Sequence, residues 1–162
     1  MPVAKALGGG FPVGACLATT KASKGMTVGS HGSTFGGNPL AMAVGNAVLD
    51  VMLADGFIDK VRRTALLLKQ RLAELKDRHA AVIAEVRGEG LLIGLRMVPP
   101  ASAMVDELRA EKMLTVSAGD NVVRLLPPLI IGETEVAEAV DRIDRACSRL
   151  AQMHARPKEK AS

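Results

Sequence analysis

Aromatic residues are almost missing from this sequence of 162 residues, which has three Phe and no Trp or Tyr. Proteins that hold single-stranded nucleic acid stack the bases on aromatic rings, so this binding mode is disfavoured. The formal net charge of +4 and the pI near 9.3 do not restore it, because Lys and Arg alternate with Asp and Glu along the chain. We therefore expect no nucleic-acid partner.

Cysteine and histidine are also scarce. Cys16 and Cys147 form no Cys-x-x-Cys pair, and His31, His79 and His154 lack the spacing of metal ligands. Long apolar runs are missing too, since a membrane-spanning helix needs about 20 consecutive apolar residues. The first residues do not show the pattern of a signal peptide. The sequence thus predicts a cytoplasmic protein with no metal site, no disulfide framework and no membrane partner.

What is present suffices for a core, since 48% of the residues are apolar. The chain ahead of Asn38 is rich in Gly, Ser and Thr and holds one short strand candidate, Val13–Ala18. Asn38 and Pro39 predict a helix start, because Asn caps free amides and Pro needs no donor there. A second helix is predicted from near Ile58. The apolar stripe of the first helix consists of Leu40, Val44, Ala47, Val48 and Val51.

The pattern changes to period two after the second helix, which predicts strands. Two helices are also expected here, a short one near Met104 and a last one that ends near Leu150. Because the connections are short, residues from about 82 to about 151 are predicted to form a small, mostly antiparallel α/β domain. A turn is predicted at Ser117–Asp120. The predicted strands are Val82–Val86, Leu91–Met97, Leu114–Val116 and Val122–Leu126.

Four segments carry a family resemblance. The first, Val3–Ala15, has Lys5 ahead of three consecutive glycines, and the second is His31–Ala41. The others are Gly88–Gly94 and Val122–Leu129. In this order they resemble the conserved blocks of class III pyridoxal-phosphate aminotransferases. The residues of the last block are most similar to those of the acetylornithine and succinylornithine branch. Taken alone, Lys5 would be interpreted as a solvated surface lysine.

The resemblance implies an α/β fold, the C-terminal part of a fold type I pyridoxal-phosphate transferase. It predicts that residues 1–80 are a remnant of the large cofactor-binding domain, with the lysine loop, the Gly-Ser-Thr loop and two long helices. Residues 81–152 are predicted to be the small C-terminal α/β domain, and residues 153–162 a polar tail. The Gly88–Gly94 block is expected to build the small domain without a catalytic role.

The resemblance also implies the site residues. Lys5 matches the catalytic lysine that binds pyridoxal 5′-phosphate, and Ser33 and Thr34 match cofactor-binding positions. Thr34 is similar to a threonine that contacts the cofactor phosphate of the neighbouring subunit, which implies a homodimer with shared active sites. Arg124 matches the arginine that receives the substrate α-carboxylate. Without the resemblance, Thr34 could be an ordinary loop residue and Arg124 a surface charge.

The implied reaction is transamination between N-acetylornithine, or a related ω-amino substrate, and 2-oxoglutarate in arginine biosynthesis. In the family, an aspartate, a stacking ring, a phosphate loop and a second substrate arginine precede the lysine, whereas only Met1–Ala4 precede Lys5 here. We therefore expect the isolated chain to be inactive. Two alternatives stay open: a silent truncated chain that serves as a small α/β interaction module, and another class III enzyme such as an aminomutase.

Overall fold

The computed structural model describes residues 1–155 and has two compact units, residues 1–58 and a second unit from residue 59 onward. Both helices and strands are present, as predicted for an α/β protein. The predicted polar tail, 153–162, begins inside the last helix, and residues 156–162 lie outside the described part. No single helix within residues 1–155 is long and apolar enough to cross a membrane; two successive helices satisfy the criteria only when counted together.

The first unit is loop-rich. Two short strands, β1 (Pro2–Val3) and β2 (Ala15–Cys16), pair antiparallel and lie at the two ends of a glycine-rich loop. A single-turn helix α1 (Thr20–Ser23) and a long helix α2 (Pro39–Leu53) follow. The strand predicted at Val13–Ala18 is therefore in the right place, but it keeps only two residues.

Helix α2 begins where the sequence predicts. The side chain of Asn38 accepts a hydrogen bond of 2.9 Å from the Ala41 amide, and its amide group donates to the Phe35 carbonyl at 2.8 Å. Pro39 occupies the first helical position, where a missing N–H costs nothing. Asn38 thus links the preceding loop to the helix and fixes where the loop ends.

The apolar stripe predicted for α2 is not a buried face. The fully buried positions of α2 are Ala41 and Gly45, whereas Leu40 and Val51 of the stripe are 62% and 55% exposed. Because α2 is apolar nearly all round, its periodicity does not single out one buried face. Leu53 at its end is also largely exposed.

The second unit contains a four-stranded antiparallel sheet and helices, and the mostly antiparallel arrangement predicted for the strands after residue 82 is confirmed. Every neighbouring pair of its strands is antiparallel, and their order is β3 (Ile83–Glu89), β4 (Leu92–Met97), β6 (Val122–Leu125) and β5 (Val116–Ala118). The predicted strand Leu114–Val116 is displaced, because the turn comes later, at Asp120 and Asn121, which adopt positive φ. The elements are α3 (Phe57–Arg78), β3 (Ile83–Glu89), β4 (Leu92–Met97), α4 (Ala101–Ala110), β5 (Val116–Ala118), β6 (Val122–Leu125) and α5 (Glu133–Ala155).

One side of the sheet carries the core of this unit. Alternate residues of β4 and β6 are buried together with the apolar stripes of α3, α4 and α5, so the helical stripes predicted for α3 and α5 are confirmed. Burial also raises the pKa of the Cys147 thiol on α5 to about 12, with a smaller contribution from the nearby Asp144 charge. The main core residues are Leu68, Leu72, Leu75, Ile93, Leu95, Met104, Leu108, Val123, Leu125, Ile143 and Leu150.

Charged side chains join α4 to α5. Arg149 donates to Glu107 and to Glu111 at 2.6 Å each, and Arg145 donates to Glu111 at 2.7 Å. The hydrogen bonds from Arg149 and Arg145 lower the pKa of the Glu111 carboxyl, although burial acts in the opposite direction. These ion pairs link the C-terminal end of α4 to α5.

Candidate active site

Lys5 stands at the start of the lysine loop, which we define as the residues 4–14 between β1 and β2. Its backbone has φ of +59°, a left-handed conformation that is unfavourable for a side chain with a Cβ atom. Its side chain is exposed, and extended Ala4 precedes it. Strained residues of this kind, which cost about 1–3 kcal/mol each, cluster at functional sites. The lysine amine is thus presented by a specific backbone geometry.

Glycines shape the turn behind Lys5. Residues 5–8 form a single 3₁₀ turn, closed by a 3.0 Å bond from the Gly9 amide to the Ala6 carbonyl. A Cβ at Gly8 would lie only 2.6 Å from Val13 Cγ1, and one at Gly9 would lie 3.0 Å from Val48 Cγ2 on α2. Larger residues at these positions would therefore push the loop away from Val13 and Val48. The two glycines allow the turn behind Lys5 to pack closely against both residues.

Ser33 and Thr34 lie in a second exposed loop, the serine–threonine loop (Ser33–Asn38). The Gly36 amide donates to the Ser33 carbonyl at 3.4 Å, and a Cβ at Gly36 would meet Ser33 Cβ at 3.0 Å. Gly37 has φ of +71°, which closes the turn before the Asn38 cap. The tight turn holds both hydroxyl-bearing residues at the surface of the first unit.

Arg124 occupies the middle of β6 and is exposed, whereas its neighbours Val123 and Leu125 are buried in the core. Strand alternation therefore directs its side chain away from the helices, to the face of the sheet that we call the open face. Because β6 is an inner strand, Arg124 is flanked by Gly94 on β4 and Val116 on β5. Both flanking strands hold its backbone in place.

An open cavity of about 310 Å³ lies on this face. Its lining includes Arg124 together with residues of the β3–β4 hairpin and of β6: Arg87, Glu89, Gly94 and Val122. The cavity thus combines guanidinium groups with an apolar floor, which suits a small organic anion.

The predicted site residues divide between the two units. Lys5, Ser33 and Thr34 are on exposed loops of the first unit, and Arg124 is on the open face of the second. Their roles toward a cofactor or substrate stay predictions. Sequence reasoning also missed Arg87 as a cavity residue, although the Gly88–Gly94 block signals a hairpin that would set Arg87 opposite Gly94.

Comparisons with known proteins agree with the resemblance. Residues 1–147 match the sequence profile of the family described as Aminotransferase class-III. Acetylornithine aminotransferase 1 of Bradyrhizobium diazoefficiens is 63% identical over 150 residues, which are 93% of this chain and 37% of that protein. The chain therefore spans less than two fifths of the length of this relative.

Two solved structures resemble the fold. N-acetylornithine aminotransferase from Stenotrophomonas maltophilia K279a is 35% identical, with a TM-score of 0.79 over 96% of this chain and 40% of that chain. Ornithine aminotransferase from Toxoplasma gondii, described with PLP at partial occupancy in its active site, is 28% identical. Its TM-score is 0.86, over 96% of this chain and 38% of that chain. The likeness therefore extends over nearly all of the present chain.

Proposed function

Because this chain belongs to the class-III aminotransferases, we propose that it forms the C-terminal part of an enzyme that moves an amino group between N-acetylornithine, or a related ω-amino substrate, and 2-oxoglutarate. A relative that is 63% identical and is named acetylornithine aminotransferase supports this substrate. The fold assignment, part of a fold type I transferase, is confirmed by the solved relatives. The observation that carries the catalytic proposal is the exposed Lys5, held in left-handed backbone ahead of a glycine turn.

The first unit has residues that fit pyridoxal phosphate. The uncrowded amine of Lys5 is suited to covalent attachment, and the exposed hydroxyls of Ser33 and Thr34 are suited to phosphate oxygens. The T. gondii relative, described with PLP in its active site, supports the same cofactor here. When bound, the cofactor supplies an electron-accepting ring that stabilises negative charge at the substrate carbon that bears the transferred amine.

Lys5 and Arg124 then have complementary tasks. The Nζ of Lys5, once neutral, would take the proton from the substrate carbon that bears the transferred amine and deliver it to the cofactor carbon that keeps the nitrogen. In the half-reaction with glutamate, the guanidinium of Arg124 would offer two parallel N–H donors to the α-carboxylate and so orient the α-hydrogen. N-acetylornithine also carries an α-carboxylate, but its transferred amine is at the other end of its side chain, so the orienting role of Arg124 applies to the glutamate half.

The assembly that we propose is a cytoplasmic homodimer with shared active sites. In it, Thr34 contacts the cofactor phosphate held by the neighbouring subunit, so that each site needs two chains. Residues 1–80 would belong to the large domain and residues 81–152 to the small domain of the complete enzyme. Amino-acid and oxo-acid substrates are common to the family.

The proposal is tested in a chimaera that joins this chain to the remaining residues of the B. diazoefficiens relative. We expect borohydride reduction in the presence of pyridoxal phosphate to fix the cofactor on Lys5, located by peptide mapping. Lys21 and Lys24, which lie nearby on α1 and at its end, are internal controls. An adduct on either of them with Lys5 unmodified contradicts the assignment. If the chimaera transfers an amino group from ornithine but not from N-acetylornithine, the proposed substrate is wrong.

A further inference from the structure

Two arginines share one row on the open face of the sheet. Arg87 on β3 pairs with Gly94 on β4, and Gly94 pairs in turn with Arg124 on β6. Since Gly94 has no side chain, Val122 and the Arg87 side chain occupy the space above it, and Arg87, Gly94 and Arg124 all line the cavity described above. The two guanidinium groups are nevertheless not equivalent.

Arg87 is tied down by an acidic partner. Its Nη1 lies 2.9 Å from Asp120 Oδ2, in the turn that leads into β6. Its side chain passes close to Gly94, since a Cβ built there would lie 3.6 Å from Arg87 Cγ and 2.9 Å from Val122 Cγ1. The ion pair therefore connects β3 to the turn that precedes β6, and the Arg87 side chain passes Gly94 of β4 on the way.

We infer that Arg87 is a positioning residue for carboxylate recognition by Arg124, and that Asp120 is its anchor. The ion pair fixes the turn that precedes β6 and thus the strand that presents Arg124. It also balances the charge of Arg87, so that a carboxylate in the cavity is directed to Arg124. Gly94, without a side chain, leaves room for the Arg87 side chain to pass toward Asp120. This inference rests on the proposed role of Arg124 as the carboxylate-binding residue.

The test follows carboxylate binding to the chain itself, without cofactor. Glutamate is titrated at fixed ionic strength, and the Nε–Hε NMR signal of Arg124 gives the dissociation constant. The double variant Arg87→Gln/Asp120→Asn removes the ion pair and leaves the net charge unchanged. Asn tolerates the left-handed backbone of position 120. We expect its dissociation constant to rise at least fivefold.

A matched pair on the same sheet supplies the control. Arg96 on β4 contacts Glu85 on β3 at 3.1 Å, and neither lines the cavity. The variant Arg96→Gln/Glu85→Gln should change the dissociation constant less than twofold. Its melting temperature should change by about as much as that of Arg87→Gln/Asp120→Asn. The variant Arg87→Lys, which keeps a cation for Asp120, should also stay within twofold of the parent. Equal effects of the two double variants, or no effect of either, overturn the inference.

The single variant Asp120→Asn separates positioning from simple charge. Removal of the negative charge that pairs with Arg87 should tighten carboxylate binding if charge alone decides, whereas the positioning role predicts weaker binding at Arg124. Tighter binding overturns the inference. A parent chain whose Arg124 signal does not respond saturably to glutamate overturns it together with the carboxylate role of Arg124. Cofactor trapping on Lys5 in the chimaera is independent of that outcome.

Discussion

The side chain of Asn121 caps a helix that is distant in sequence: its Oδ1 accepts a 2.7 Å hydrogen bond from the amide of Ala101, the first residue of α4. Pro100, at the N-cap position itself, has no side chain that could accept this bond. The amide group of Asn121 also donates to the carbonyls of Met97 and Pro99 at 2.8 Å each. One side chain thus ties the β5–β6 turn to the β4–α4 connection.

Loss of this side chain should destabilise the second unit. Asn121→Gly removes all three bonds but tolerates the φ of +54°, and we expect the free energy of unfolding to fall by about 1–3 kcal/mol. The free energy of unfolding of Asn121→Ala should be lower by about a further 1 kcal/mol, because alanine is strained in left-handed backbone. Urea unfolding followed by circular dichroism measures both. A glycine variant as stable as the parent would show that these hydrogen bonds contribute little.

Arg124 should behave as a carboxylate-binding residue in the chimaera. Arg124→Ala should reduce kcat/KM for glutamate by about 2–5 kcal/mol in transition-state free energy, and by less for N-acetylornithine, whose reacting carbon is remote from its α-carboxylate, while cofactor absorbance survives. Arg124→Lys keeps the charge but lacks the two parallel donors, so it should also be impaired. Stopped-flow half-reactions with each substrate provide the measurement. Rates with glutamate within about threefold of the parent, under 1 kcal/mol, would make Arg124 a surface charge.

Glu111 should make stability depend on pH in the acid range. Its carboxyl pKa is lowered in the folded chain, first by the Arg149 hydrogen bond, so folding favours the ionised form. The resulting stabilisation is present above the ordinary Glu value of 4.5 and is lost as pH falls through the lower, folded-state pKa. Glu111→Gln should therefore melt below the parent at pH 7, and the difference should shrink in acid.

A surface pair provides the comparison for that experiment. Glu74 on α3 lies 3.6 Å from Arg71, and both side chains are more than half exposed. Glu74→Gln should change the melting temperature little at either pH, because exposed pairs of this kind contribute about 0–1 kcal/mol. If Glu111→Gln and Glu74→Gln give the same pH profile, the α4–α5 network is not the source of the pH dependence.

The exposed apolar side chains of α2 should cause self-association of the isolated chain. Val51 and Leu53 are 55% and 78% exposed, and such residues on one helix favour contact with another surface. We expect sedimentation velocity to show oligomers that Val51→Lys/Leu53→Lys reduces. The control is Leu114→Lys, an exposed leucine of the second unit, which should leave association unchanged. A sharply melting monomer at all concentrations would contradict this expectation.

The features that the sequence predicted correctly have a local cause. The stripes of α3 and α5 alternate apolar and charged residues, so their periodicity identifies the buried face. The start of α2 follows from the chemistry of Asn38 and Pro39 alone. The features that were missed depend on distant residues. The end of β5 is set by left-handed Asp120 and Asn121, and the capping partners of Asn121 lie about twenty residues earlier in the chain.

The candidate site shows the same division. Lys5, Ser33, Thr34 and Arg124 could be proposed because each belongs to a recognisable block, whereas Arg87 required the register of three strands. A sequence gives the length of a hairpin more readily than the residue that faces a given position across it. The strained backbone of Lys5 was not predictable either, since left-handed geometry is expected mainly for glycine and asparagine.

Because Cys147 is buried, one of the two cysteine thiols of the sequence is accessible to reagents. With its pKa at about 12 and its side chain in the core, the Cys147 thiol resists alkylation as long as the second unit is folded. The other cysteine of the sequence, Cys16, is exposed on β2, opposite Pro2 and therefore close to the start of the lysine loop. A maleimide dye attached there would report optically on events around Lys5, and exposure of a second thiol would signal unfolding.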